Sequence, residues 1–185
     1  MGPNRRTQFV EHSSSTCGTD EGTIGPAEVT ATDSKLLSDA VHDAKEKADA
    51  MDAVQSLYCS VRQEIDRRRP VCVVSGRCCR FEEFGHRLFV STLELAAFVR
   101  DLKVPAPAEW DGTGCPFQRA KLCTVHAIRP FGCRMFFCDA TSTDWQNAAY
   151  EQFHARLKAL HEAFSIPYFY VEWREALGAL GVGQR

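Results

Sequence analysis

The sequence has no apolar stretch of membrane-spanning length. Its longest candidate, around 88–99, is interrupted by Ser91, Thr92 and Glu94, whereas a spanning helix needs about 20 predominantly apolar residues. The opening "MGPNRRTQFVEHSSST" has two arginines but no apolar core after them, which argues against a secretory or twin-arginine signal. Arg6 also stands where a myristoylation motif wants Ser or Thr. Excess charge is missing as well: the formal net charge is -2 over 185 residues, with 44% hydrophobic and 25% charged side chains. No overall field marks the chain for nucleic acid or an anionic membrane surface. Gly178, Gly181 and Gly183 follow no strand and make no dinucleotide fingerprint, and phosphate-loop, metalloprotease-helix and serine-triad signatures are not readable. The expectation is a cytoplasmic protein with neither membrane nor nucleic acid as partner.

Cysteine is what the sequence has in abundance, nine in all. A reducing compartment disfavours a disulfide framework, so clustered thiols point to metal binding or redox chemistry. Cys17 reads as an incidental exposed thiol and Cys59, beside an apolar stripe, as a small buried hydrophobe. Seven remain to be explained: Cys72, Cys78, Cys79, Cys115, Cys123, Cys133 and Cys138.

The expected fold class is mainly α: a small helical domain with cysteine-rich loops organised around a metal centre, preceded by a disordered N-terminal tail. Residues 1–33 are rich in small polar and acidic groups, and ordering them would gain too little burial to offset the lost chain entropy. Over 34–69, with Asp33 or Ser34 as N-cap, Leu37, Val41, Ala44, Ala48, Met51, Val54, Tyr58, Val61 and Ile65 recur at steps of three and four. That spacing predicts one long amphipathic helix, closed by Arg67, Arg68 and Arg69 before Pro70.

The region 70–141 carries the cysteines. Between its two groups, a short strand at 88–90 leads into a helix announced by Ser91 and Glu94 at capping-box spacing and stopped by Pro105 and Pro107. The second group reads as loop with room for a helical turn near 124–128. Within 142–185, Thr143 and Gln146 repeat the capping-box spacing ahead of a helix burying Trp145, Ala149, Phe153, Leu157, Leu160 and Phe164. A shorter final helix follows Pro167, and both pack on the same domain.

Soft thiolates select zinc, copper(I) or iron–sulfur clusters over magnesium and calcium, and four suffice for a zinc site or a single cluster. Glycine and proline in the loops suit several sulfurs converging from different directions. Arg77, Arg80, Arg129 and Arg134 stand beside the cysteines, where cations favour the deprotonated sulfur; for Arg129 and Arg134 the expected role is support of the centre. Neighbouring side chains of an extended loop point to opposite sides, so Cys78 and Cys79 are not both expected on one mononuclear ion.

The run from Cys72 through Ser75 to Cys78 and Cys79, followed by Cys115-Pro116-Phe117, then Cys123, Val125, Arg129-Pro130 and Cys133-Arg134, resembles the YkgJ-type cysteine-cluster family of zinc- or iron-chelating domains. The likeness covers roughly 70–140. It implies a metal bound through Cys72, Cys78, Cys79, Cys115, Cys123 and Cys133, with Cys138 matching a further cysteine of some members. Two positions depart from the pattern: Ser75 replaces its second cysteine, and His126 takes the place of an aromatic ring, so it is expected to pack as a ring and not to ligate. His86, His154 and His161 have weaker claims, the last two being read as surface residues.

With no paired C-x-x-C knuckle left, an iron–sulfur cluster is preferred over a zinc or iron ion. Two alternatives stay open: an iron–sulfur-dependent protein-modifying enzyme resembling a lysine methylase, and a metal-free thiol redox protein using Cys78 and Cys79. No catalytic residue is assigned and no protein partner is named.

Overall fold

In the computed structural model, which describes residues 31–103 and 110–182, the chain is mainly helical. Cys17, most of the expected tail, Pro105 and Pro107 lie outside the described residues.

The single helix expected over 34–69 is two helices, α1 (Ala31–Lys45) and α2 (Ala48–Arg68), parted at Glu46 and Lys47. A straight helix of that length would run about 50 Å and carry half its apolar stripe past a domain of this size. The break lets α1 bury Leu37, Val41 and Ala44 while α2 buries Ala50, Met51, Val54, Leu57, Tyr58 and Val61; Ala48, on the expected stripe, is exposed. Lys47 fixes the corner by donating from Nζ to the carbonyl of Phe164, 3.1 Å away. At the far end Arg69 takes the left-handed conformation, and its N–H closes the helix on the Ile65 carbonyl.

Helix α3 (Phe81–Phe84) is one turn. Strand β1 (Phe89–Ser91) then enters α4 (Thr92–Asp101), whose Ser91–Glu94 capping box forms as the spacing predicts. Nearly all of α4 is buried because it passes through the middle, against α1 on one side and α2 on another. A two-residue hairpin, β2 (Gln118–Arg119) and β3 (Leu122–Cys123), turns through Ala120 and Lys121, both at positive φ. Without an Asn-Gly or similar pair, that hairpin gave no sequence signal. Helix α5 (Phe131–Met135) follows Pro130, where the sequence reads as loop.

Helix α6 (Thr143–Ala163) packs along α2, burying Ala149, Phe153 and Leu157, with Trp145, Leu160 and Phe164 partly covered. Its expected capping box does not form: Gln146 Oε1 instead accepts the Phe137 N–H at 2.8 Å, and Thr143 Oγ1 donates to the Ala140 carbonyl. His161 is buried, not on the surface, with Nδ1 against the Ile166 carbonyl. Strand β4 (Tyr170–Glu172) pairs antiparallel with β1 and leads into α7 (Trp173–Ala179). Among the described residues no helix is long and apolar enough to cross a membrane.

Candidate metal centre

Six of the seven cysteines line one narrow cavity of about 80 Å³: Cys72, Cys78, Cys79, Cys115, Cys123 and Cys133. Trp173, Phe81, Val125 and Phe137 contribute apolar wall, while His126, Arg129 and Arg134 contribute its polar part.

The first two sulfurs are brought together by a 3-10 turn over Arg77–Cys79, entered through Gly76 at φ 71°. The tight turn folds neighbouring side chains to one side, so Cys78 Sγ and Cys79 Sγ stand 3.9 Å apart and face the same cavity. This corrects the expectation, based on an extended loop, that they diverge. The second cysteine segment is tied on to backbone carbonyls of the first: the Cys115 N–H donates to the Cys79 carbonyl at 2.8 Å, and the Gln118 side-chain Nε2 to the Gly76 carbonyl at 2.9 Å. Cys123 is carried by β3 and Cys133 by α5.

Gly114 makes the first of these ties possible. It has φ 58°, and a Cβ there would lie 2.7 Å from the Cys79 carbonyl oxygen. Gly114→Ala is therefore expected to destabilise the fold by about 2–4 kcal/mol, combining left-handed strain with a backbone clash. Gly85→Ala, at φ 62° with nothing within 4 Å of the added methyl, should cost only about 1 kcal/mol. Urea midpoints of the two variants check this.

Hydrogen bonding among the thiols separates their acidities. Cys79 is buried and holds its proton: contacts with the Cys115, Cys123 and Cys78 thiols, together with burial, push it far up. The same contacts pull the others down, Cys78 to about 6, Cys123 to about 7, and Cys115 also below its ordinary value. Burial pushes the Cys133 thiol up. One S–H can point at only one acceptor at a time, so three acidified sulfurs compete for a single proton at the middle of the group. The indole N–H of Trp173 is buried without a partner of ordinary geometry and acts to lower Cys115.

The arginines divide. Arg129 helps lower Cys78 and Cys123, and its guanidinium donates to the His126 carbonyl at 2.9 Å. Arg134 is buried, lies 4.2 Å over the Tyr58 ring and donates to the Ala127 carbonyl, so it braces the loop beneath Cys133. Arg77 and Arg80 turn away onto Phe84, and Arg80 also pairs with Glu83.

Of the remaining positions, Cys72 and His126 are exposed on the cavity's wall and the others lie outside it. Cys138 is exposed outside the cavity, with Sγ 3.8 Å from Ser75 Oγ. Cys72 is exposed on a loop held by the Val71 N–H to Asp139 Oδ2 at 3.1 Å. Cys59 is exposed on α2, against the expectation of burial. His126 is exposed against Arg129, so its ring does not pack inward as expected. His86 stacks on Phe136 beside the cavity.

Two thiolates on one tetrahedral ion, each bonded at about 2.3 Å, stand about 3.8 Å apart, which the Cys78–Cys79 pair already matches. Among the described residues, however, no three His, Cys, Asp or Glu side chains stand together at ion-gripping geometry. The sulfurs share a cavity without converging on one point, and four ligands would require the loops to draw inward. Comparison with protein-family models, curated proteins and solved structures gives no match.

Proposed function

We propose that this chain binds a thiolate-held metal centre, an iron–sulfur cluster first and a zinc or iron ion second, with ligands from Cys78, Cys79, Cys115, Cys123 and Cys133. Cys72 joins if its exposed loop closes. The observation that carries the reading is the shared cavity: Cys78 Sγ and Cys79 Sγ stand 3.9 Å apart, with Cys115, Cys123 and Cys133 on the same wall, where a cation would satisfy several thiolates and a proton only one. The set of soft donors, the apolar wall and Arg129 beside the sulfurs suit a centre carrying several negative charges. The zinc or single-iron form draws its own support from the 3.9 Å Cys78–Cys79 separation and the narrowness of the cavity. Such a centre belongs to a reducing compartment, which makes the cytoplasm its proposed setting. Cys138 is left outside the ligand set.

Anaerobic purification followed by a visible spectrum and assays of iron, labile sulfide and zinc tests this. Brown protein with iron and sulfide supports the cluster, and colourless protein with one equivalent of zinc or iron supports the ion. Protein that folds with neither, and whose Cys78 is rapidly alkylated near neutral pH, overturns the metal reading in favour of a thiol protein.

A further inference from the structure

Behind the cysteines lies a second cavity of about 210 Å³, which shares Cys78 and Cys133 as wall with the first. Aromatic rings shape it: His86 stacks on Phe136 with centroids 4.9 Å apart, Phe89 stacks on Tyr170 at 5.5 Å, and Tyr150 closes the side. A flat ring between such walls gains both apolar burial and edge or face contacts.

The polar groups of this cavity are mostly hydrogen-bond donors. Arg87 lines it, is exposed and makes no ion pair or hydrogen bond within the described protein. Gln146 has its Oε1 occupied by the Phe137 N–H, which leaves the amide N–H groups to offer. Tyr150 and Tyr170 are bonded to each other, oxygen to oxygen, at 2.8 Å, and burial keeps both hydroxyls protonated, so one O–H of the pair is left to donate. Among the described residues, no Asp or Glu lines the cavity. Glu94, whose charge acts on Tyr150 and Tyr170, is buried and already accepts the N–H groups of Ser91 and Phe131.

We infer that this cavity binds a small aromatic carboxylate, with its ring between the His86–Phe136 and Phe89–Tyr170 stacks and its carboxylate on Arg87 and Gln146. A guanidinium with no partner among the described residues, beside donors whose acceptor sides are filled, selects an anion over a neutral or cationic ring. Contact of that ligand with a metal through the shared wall rests on the reading above; the cavity's lining does not.

Titration calorimetry of the purified chain, its metal content assayed in the same sample, would use benzoate, benzamide and benzylamine as probes. Benzoate is expected to bind saturably with one site and to perturb the tyrosine ring resonances. Benzamide and benzylamine should bind at least about tenfold more weakly, as should benzoate to Arg87→Met, which removes an exposed group and leaves the fold intact. Absence of saturable benzoate binding to folded protein overturns the inference, as does tighter binding of benzylamine or an unchanged affinity in Arg87→Met. Benzoate binding to metal-free folded protein would sustain the cavity while sinking the metal proposal; metal without benzoate binding would do the reverse.

Discussion

Cys79→Ala protein, purified in parallel with the wild type, is expected on the proposed metal reading to retain less than about a tenth of the wild type's metal and to unfold at lower urea, because binding energy at a thiolate site is also folding energy. Cys79 Sγ stands 3.9 Å from Cys78 Sγ, and its backbone carbonyl receives the Cys115 N–H that joins the two cysteine segments. Removing the sulfur takes away a proposed ligand and leaves Cys78, Cys115 and Cys123 without the neighbour that lowers them. Cys59→Ala, on the exposed side of α2, is the matched control and should keep full metal and stability. Equal metal in the Cys79 variant and the wild type would remove this residue from the centre.

Glu94→Ala should be the most destabilising substitution outside the cysteines, at about 3–5 kcal/mol by urea unfolding. Its carboxylate caps α4 by accepting the Ser91 N–H at 2.8 Å and reaches across to accept the Phe131 N–H at 2.9 Å at the start of α5. The short helix carrying Cys133 therefore hangs on the buried end of α4. Desolvation pushes the Glu94 carboxyl up to about 7, above its value of about 4.3 in an unfolded chain. The folded protein thus holds the proton more tightly than the unfolded one. This contribution to stability is fully present below about pH 4 and is lost as pH rises to about 7, a fall on the order of 3 kcal/mol. Glu94→Gln has no such proton, so the stability difference between wild type and Glu94→Gln should shift against the wild type from pH 5 to pH 8 and level off above that. A difference constant over this range would show that the carboxyl is charged throughout.

Much of the helical framework was legible because it rests on local chemistry. The Ser91–Glu94 box closes with partners three residues apart, and Ala149, Phe153 and Leu157 repeat at the period of one helix face. Where local signals misled, a distant partner had won. Gln146 sits at capping distance from Thr143 yet serves Phe137, and the apolar stripe running through Ala48 is broken so that two helices can cover one core. The hairpin that carries Cys123 and helix α5 had no turn or cap signature to reveal them.

The sequence by itself determined that there are many soft donors, that they fall in two segments between helices, and that arginines accompany them, since these are matters of residue type and order. Only the tertiary structure decided which thiols meet. Cys78 and Cys79 face one way because a glycine admits a tight turn, Cys115 joins them through a backbone hydrogen bond across the chain, and Cys138 is left beside Ser75. Side-chain direction in a loop is set by φ and ψ at single residues and by partners far away in sequence, and spacing along the chain carries neither.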